Sequence, residues 1–160
     1  MASRITAPTT LGIASRIVRS ISVAGPELET SLWGELAELQ RKHPGGFLVR
    51  LHVLGDFYSL GYVELWKRAL AAFPALHVWG FTAHLPASEI GSALIAMTCD
   101  WDRFAIRFSG IDTPFKASIL EGDSQHGYGI PCPAQTGATD CCATCALCWN
   151  SKRSISFARH

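Results

Sequence analysis

The sequence has no long apolar run, no large excess of charge of either sign and no internal repeat. No stretch approaches the roughly 20 apolar residues that a membrane-spanning helix needs, and the N-terminus lacks the continuous apolar stretch of a secretory signal. A formal net charge of +1 gives the whole molecule no field that would attract nucleic acid or an anionic membrane. These absences predict a cytoplasmic protein with no membrane partner, and they restrict nucleic-acid binding to a local patch.

Cysteine is absent from the first 98 residues, and five of the six cysteines fall between Cys132 and Cys148. Disulfides are rare in a reducing cytoplasm, so a cluster of this kind indicates a metal. Cys99 stands alone at the end of an apolar helical pattern, and we expect it to be a small core residue.

The 160 residues, 48% of them hydrophobic and 17% charged, have the length and composition of one packed globular domain. We divide it into a basic N-terminal segment (1–26), an α/β core (27–110) and a loop and metal-binding segment (111–160). The first segment contains Arg4, Arg16 and Arg19 but no acidic residue, a bias typical of an organellar transit peptide as well as of a basic helix start.

Helical and strand patterns alternate through the core. The first predicted helix begins at Pro26 and reaches Arg41, the second is capped by Ser59, and the third opens at Pro86. The predicted strands lie between and after them, over Phe47–Leu54, Leu76–Thr82 and Phe104–Phe108. This order predicts an α/β fold of three or four mostly parallel strands with right-handed crossover helices. Glycines and prolines between Ile111 and Gln135 predict a loop there, and Ser154–Phe157 alternates like a short edge strand.

The cysteine spacing is Cys132-x9-Cys142-x2-Cys145-x2-Cys148. Three cysteines at successive intervals of three let one turning backbone present three thiolates, and the remote cysteine followed by proline supplies a fourth, as a [4Fe–4S] cluster requires. Structural zinc also takes four thiolates, but its two C-x2-C knuckles would have to share Cys145. Iron–sulfur is therefore the first interpretation and zinc the alternative, with Cys141 a spare thiol or an exchanged ligand.

Polar residues also gather where the predicted strands end. Arg50 and His52 are predicted to share one face of the first strand with Leu54, and Asp56 follows in the loop. Ligands bind at the carboxyl edge of parallel sheets, so these three residues and His84, after the second strand, are candidate ligand-binding residues. The alternative is that His52 and Asp56 satisfy one another, or cap the next helix, without any chemistry.

Together, the motifs Arg50-x-His52-x-x-Gly55-Asp56-Phe57-Tyr58-Ser59, Cys132-Pro133-x-Gln135 and Cys142-x-x-Cys145-x-x-Cys148-Trp149 resemble the gene product 88 family of mycobacteriophages and prophage-like loci. The ending Ile155–His160 is similar too. The resemblance implies a distant relation to radical S-adenosylmethionine barrel proteins. It also implies that longer members of the gene product 88 family carry another cysteine motif before the first helix. If that motif ligates a catalytic cluster, this chain lacks it, which implies a truncated or degenerate member. A partial barrel would also leave strand edges that a capping segment, a partner or an oligomer would cover.

Two functions of different classes fit these features. The first is a phage-type α/β protein that binds one iron–sulfur cluster and serves electron transfer, a degenerate radical chemistry, or the handling of a small molecule at the His52 and Asp56 edge. The second is a non-enzymatic, zinc-stabilised interaction or nucleic-acid-binding module, for which Lys152 and Arg153 supply basic charge. A metal-assisted hydrolase built on His52, Asp56 and His84 ranks third, because no recognised nucleophile or HExxH-like pattern accompanies them. Enzymatic activity, substrate and redox partner stay open.

Overall fold

The computed structural model describes residues 25–52, 55–110, 116–120 and 129–158. Within these ranges the chain forms α1 (Pro26–Lys42), β1 (Phe47–Leu51), α2 (Leu60–Ala72), β2 (Leu76–Thr82), α3 (Glu89–Asp100), β3 (Phe104–Ser109), β4 (Lys116–Leu120), β5 (Ile130–Pro131), α4 (Cys142–Cys145), α5 (Leu147–Asn150) and β6 (Ile155–Ala158). No helix among the described residues is long and apolar enough to cross a membrane. The basic segment over 1–26 lies outside the described residues except for its last two.

Local signals set most of the helix boundaries. Pro26 is the first residue of α1, as expected. The hydroxyl of Ser59 accepts the backbone N–H of Tyr62 at 3.1 Å and caps α2. The prediction that α3 opens at Pro86 was wrong: that helix begins at Glu89, because the Ser88 hydroxyl accepts the Gly91 N–H at 3.0 Å and takes the capping position.

The described strands form one six-stranded sheet in the order β1-β2-β3-β4-β6-β5, and every pair in it is parallel. The α/β class, the parallel strands and the alternating helices are thus confirmed. The sheet has more strands than the expected three or four because the segment over 111–135, expected to be a loop, contributes β4 and β5. The final strand was expected at an edge, but β6 pairs with β4 on one side and β5 on the other.

One face of the sheet is covered by α1, α2 and α3, and the main apolar core lies between these helices and the sheet. Its largest fully buried side chains come from both layers, for example Trp66 and Leu70 from α2 and Phe104 and Ile106 from β3. Burying a side chain of this size stabilises the fold by about 1.5–3 kcal/mol relative to exposure. At Gly80 β1 approaches β2 closely, because a Cβ there would lie in tight contact 3.1 Å from the Leu51 carbonyl oxygen.

The opposite face carries different residues. Trp79 of β2 and Arg107 of β3 are buried there, and α5 packs against both strands. Trp79 contacts Trp149 of α5 with ring centroids 5.3 Å apart. The cysteine segment therefore covers the side of the sheet that the long helices leave open.

Candidate metal centre

The four cysteines predicted as ligands line one small cavity. Cys132 follows β5, Cys142 and Cys145 lie on α4, and Cys148 lies on α5. The remaining walls are apolar or backbone, formed by Pro133, Ala134, Leu147, Trp149 and Ile155. The fold thus brings to one cavity four soft donor atoms that are up to 16 residues apart in sequence.

A break in the helix lets Cys142, Cys145 and Cys148 converge. In one continuous α-helix, residues six apart lie about 9 Å apart along the axis, which would spread the three thiols. Here Ala146 takes a left-handed conformation with φ 57°, rare for residues other than glycine, and separates α4 from α5. The chain turns at that residue, and all three cysteines reach the same cavity.

Hydrogen bonds to β6 hold the fourth cysteine. The Cys132 N–H donates to the Ser156 carbonyl at 2.8 Å, which continues the ladder between β5 and β6. The Gln135 side chain accepts the Ala158 N–H at 2.8 Å, so its amide takes the place of a further strand residue. This explains in physical terms why a Cys-Pro-x-Gln motif accompanies the final strand.

The electrostatics of the cavity disfavour a free thiolate at Cys148. Burial raises the pKa of the Cys148 thiol to about 11, with Arg107 opposing the rise and the other three cysteines adding to it. The thiol is therefore protonated at neutral pH unless a cation enters the cavity. A metal ion would reverse this balance, because it stabilises thiolates directly.

The thiols are grouped but are not arranged around a common centre. No set of three or more His, Cys, Asp or Glu side chains in the described part of the chain has the geometry to hold a metal ion. Binding would therefore require the thiols to move closer together. The donor types and the shared cavity fit a thiophilic metal. Metal binding would change the distances between the cysteine sulfurs.

The other two cysteines lie apart from this cavity. Cys141 is exposed, with its sulfur 3.3 Å from the Thr144 hydroxyl, and it is not among the residues that line the cavity. Cys99 is also exposed, so the expectation that it is a small core residue was wrong. The apolar face of α3 is formed instead by Leu94 and Met97, and Cys99 falls outside it.

Arg107 holds the cysteine segment against the sheet, and it was not among the functional residues predicted from the sequence. Its guanidinium donates to the carbonyls of Cys148 at 2.8 Å and Ser151 at 2.6 Å. It also donates to those of Arg153 at 2.9 Å and Leu147 at 3.1 Å. An arginine inside the apolar strand Phe104–Ser109 was the available signal, because a buried guanidinium must find acceptors.

The strand-end residues do form contacts, mostly with backbone. The Asp56 carboxylate accepts the Thr82 hydroxyl and the Phe57 N–H, both at 2.8 Å, and the Ala83 N–H at 2.7 Å. His84 Nε2 lies 2.7 Å from the Phe57 carbonyl oxygen, so this nitrogen carries a proton and donates it in the hydrogen bond. Asp56 and His84 thus join the loop after β1 to the end of β2.

Arg50 and His52 do not share a strand face, so that prediction was wrong. His52 lies beyond β1 with φ 53°, and its ring packs against Phe57 with centroids 4.6 Å apart. Arg50 stacks on Trp79 at 5.1 Å instead. Leu54, predicted to lie on the same face, is outside the described residues, as is Val53.

Neither nitrogen of the His52 ring has a hydrogen-bond partner among the described residues, although both are buried. Burial lowers the pKa of His52, and Asp56 opposes the shift. His52 is therefore neutral at neutral pH, and its ring makes no hydrogen bond to Asp56.

The fold and the site together define a parallel α/β protein with a cysteine-lined cavity on the face opposite its helices. The chain belongs to the gene product 88 family, whose model matches residues 23–118. It is 28% identical over 137 residues to the Gene 88 protein of Mycobacterium phage L5, a match that covers 74% of this chain and 56% of the relative. Over 134 residues it is 28% identical to the Gene 88 protein of Mycobacterium phage D29, covering 69% of this chain and 54% of the relative.

The chain thus spans about half the length of these curated relatives. No solved structure matches it significantly. The residues that the family model matches end before Cys132, so the likeness to the family model concerns the helices and strands and not the cysteine cavity.

Proposed function

We propose that this phage-type protein binds one iron–sulfur cluster, a [4Fe–4S] cluster, through Cys132, Cys142, Cys145 and Cys148. The observation that carries the proposal is that all four cysteines line one cavity while Cys141 and Cys99 do not. Two further features support it: the C-x2-C-x2-C run and the apolar surroundings, since soft thiolate ligands in a dry site favour such clusters.

The cluster would serve electron transfer in the cytoplasm, or a degenerate form of radical chemistry. Iron–sulfur clusters carry single electrons at potentials that hydrogen bonds and solvent exposure adjust. Trp149 lines the cavity and contacts Trp79, so it would shield one side of a bound cluster from water. A small molecule handled at the Asp56 and His84 edge is compatible with this role.

Anaerobic purification followed by iron, sulfide and zinc analysis tests the proposal. We expect iron and sulfide in equal amounts, lost together when Cys132, Cys142, Cys145 or Cys148 is changed to serine. Cys141→Ser and Cys99→Ser are matched controls, because each removes a thiol outside the cavity and should leave the metal content unchanged. A protein without iron, or one that loses its iron only in the control variants, would contradict the assignment.

Zinc is the second candidate, favoured by the small size of the cavity, since a single ion needs less room than a four-iron cluster. In that case the segment over 129–158 would be a zinc-stabilised interaction or nucleic-acid-binding module, with Lys152 and Arg153 exposed beside it. Stoichiometric zinc without iron, together with salt-dependent retention on DNA, would favour this function. Absence of retention at low salt would remove its nucleic-acid part.

A further inference from the structure

The guanidinium of Arg107 is fully buried and has no carboxylate partner among the described residues. The ion pairs there join exposed side chains within α1 and within α2, and none involves Arg107. Its hydrogen bonds go to four backbone carbonyls, which solvate the charge as dipoles but do not neutralise it. Buried charges in proteins are normally paired or bound to a metal site, because the interior does not compensate them as water does.

The cysteine cavity and the Arg107 guanidinium share a short segment of backbone. Arg107 donates to the carbonyls of Leu147 and Cys148, and both residues line the cavity. The positive charge thus lies against the backbone of one proposed metal ligand, Cys148, and of its neighbour Leu147.

A metal held by four thiolates would be anionic. Four thiolates carry four negative charges, and a divalent zinc ion or an oxidised four-iron cluster supplies two positive charges, so two negative charges remain. This excess charge would be placed in an apolar cavity, where electrostatic interactions are stronger than in water. The uncompensated positive charge of Arg107 is complementary to the excess negative charge that the metal–thiolate group would carry.

We infer that Arg107 is the counter-ion of an anionic metal–thiolate group in this cavity and that it couples metal binding to the docking of segment 129–158 on the sheet. The inference rests on the proposed metal site. Arg107 is a positioning residue, since it touches the ligand-bearing backbone and not the metal. Its charge favours the more negative state of the site, which for a cluster is the reduced state and for zinc is the loaded state.

Arg107→Met and Arg107→Lys test this inference, with Arg103→Met as a matched control. The Arg103 guanidinium also donates to backbone carbonyls, those of Phe73, Leu76 and Leu70 at 3.0, 2.7 and 2.7 Å, but it lies at the start of β3, away from the cysteines. The measurements are metal affinity by chelator competition and, for a cluster, reduction potential. Folding of each variant is checked by circular dichroism.

We expect Arg107→Met to weaken metal binding by about tenfold or more, as loss of outer partners of metal ligands does, and to shift a cluster potential to more negative values. Arg107→Lys keeps the charge without the planar fork and should retain most of the affinity and potential. Arg103→Met should leave both unchanged.

A folded Arg107→Lys variant whose metal affinity and potential fall as far below the wild type as those expected for Arg107→Met would overturn the counter-ion role. This test compares Arg107→Lys directly with the wild type, so it holds even if Arg107→Met does not fold. Equal affinity and potential in all variants would overturn this inference alone. A wild-type protein that binds no metal would overturn both this inference and the proposed function.

Discussion

The two faces of the sheet are held by different interactions. On the helix-covered face, α1, α2 and α3 bury a continuous apolar core in which side chains such as Trp66, Leu70 and Ile106 pack together. On the cysteine-covered face, short helices of four residues each are held by the hydrogen bonds of one buried guanidinium and by a few aromatic contacts. The first arrangement relies mainly on apolar burial, whereas the second relies more on polar groups with specific partners.

The difference suggests a division of roles between the faces. A core that is stable by itself can support a segment that is too small and too irregular to fold alone. The segment over 129–158 contains only short helices and strands, and in the proposed function its thiols would supply the chemistry while the sheet supplies the scaffold. The following predictions test the division, beginning with the largest expected effect.

Changing Leu70 to alanine should destabilise both faces. Leu70 has no exposed surface, and the change leaves a cavity that costs about 2–5 kcal/mol in the free energy of unfolding. Urea denaturation measures this loss. Leu60→Ala in the same helix is the control, because Leu60 is 45% exposed and its truncation should have little effect. A loss for Leu70→Ala no larger than that for Leu60→Ala would contradict the description of the core.

Changing Asp56 to asparagine should destabilise the carboxyl edge between β1 and β2. The carboxylate accepts three hydrogen bonds, and an amide has only one acceptor atom, so the Thr82 hydroxyl or the Ala83 N–H loses its partner. We expect a loss of about 1–3 kcal/mol in urea denaturation. Asp102→Asn, at an exposed position, is the control. If both variants are as stable as the wild type, these bonds contribute nothing.

The pH dependence of stability should be reduced by His52→Asn. Burial lowers the pKa of His52 in the folded protein, so the unfolded chain binds the proton more tightly. Its contribution to stability is complete above the unfolded pKa of about 6.5 and declines as the pH falls through that value. Asparagine tolerates the left-handed backbone at this position and does not titrate.

The measurement is the change in urea midpoint between about pH 7.5 and about pH 5.5, on either side of the unfolded pKa. This change should be smaller for His52→Asn than for the wild type. It should not vanish, because burial and Arg103 also lower the pKa of His77. Equal changes in both proteins would show that the proton equilibrium of His52 does not differ between the folded and unfolded states.

Much of the helix-covered face could be predicted from sequence because its signals are local. Pro26, the Ser59 cap and the apolar residues at helical spacing each act within one or two turns of chain, and the structure has α1 and α2 where they indicate. The strand Leu76–Thr82 was predicted with its observed bounds. Parallel pairing followed from the alternation of helices and strands, since a crossover helix returns the chain in the same direction.

The cysteine-covered face was harder to predict because its elements depend on distant partners. Glycines and prolines suggest a loop between Ile111 and Gln135, yet β4 and β5 exist because both pair with β6. Within its strand Arg107 is a charged residue among apolar ones, and its hydrogen-bond acceptors are carbonyls of the distant segment 147–153. His52 and Arg50 were assigned to one face on the assumption that β1 continues, and the left-handed backbone at His52 ends that alternation.

The sequence by itself determined the class of fold and the identity of the candidate metal ligands, because hydrophobic periodicity and cysteine spacing are properties of short stretches of chain. The tertiary structure alone decided which side of the sheet the cysteines cover and that Cys141 stays out of their cavity. It also decided that the buried guanidinium of Arg107 contacts the backbone of Cys148, one of these cysteines. These features depend on contacts between residues some 40 positions apart, such as Arg107 and Cys148, which no local pattern specifies.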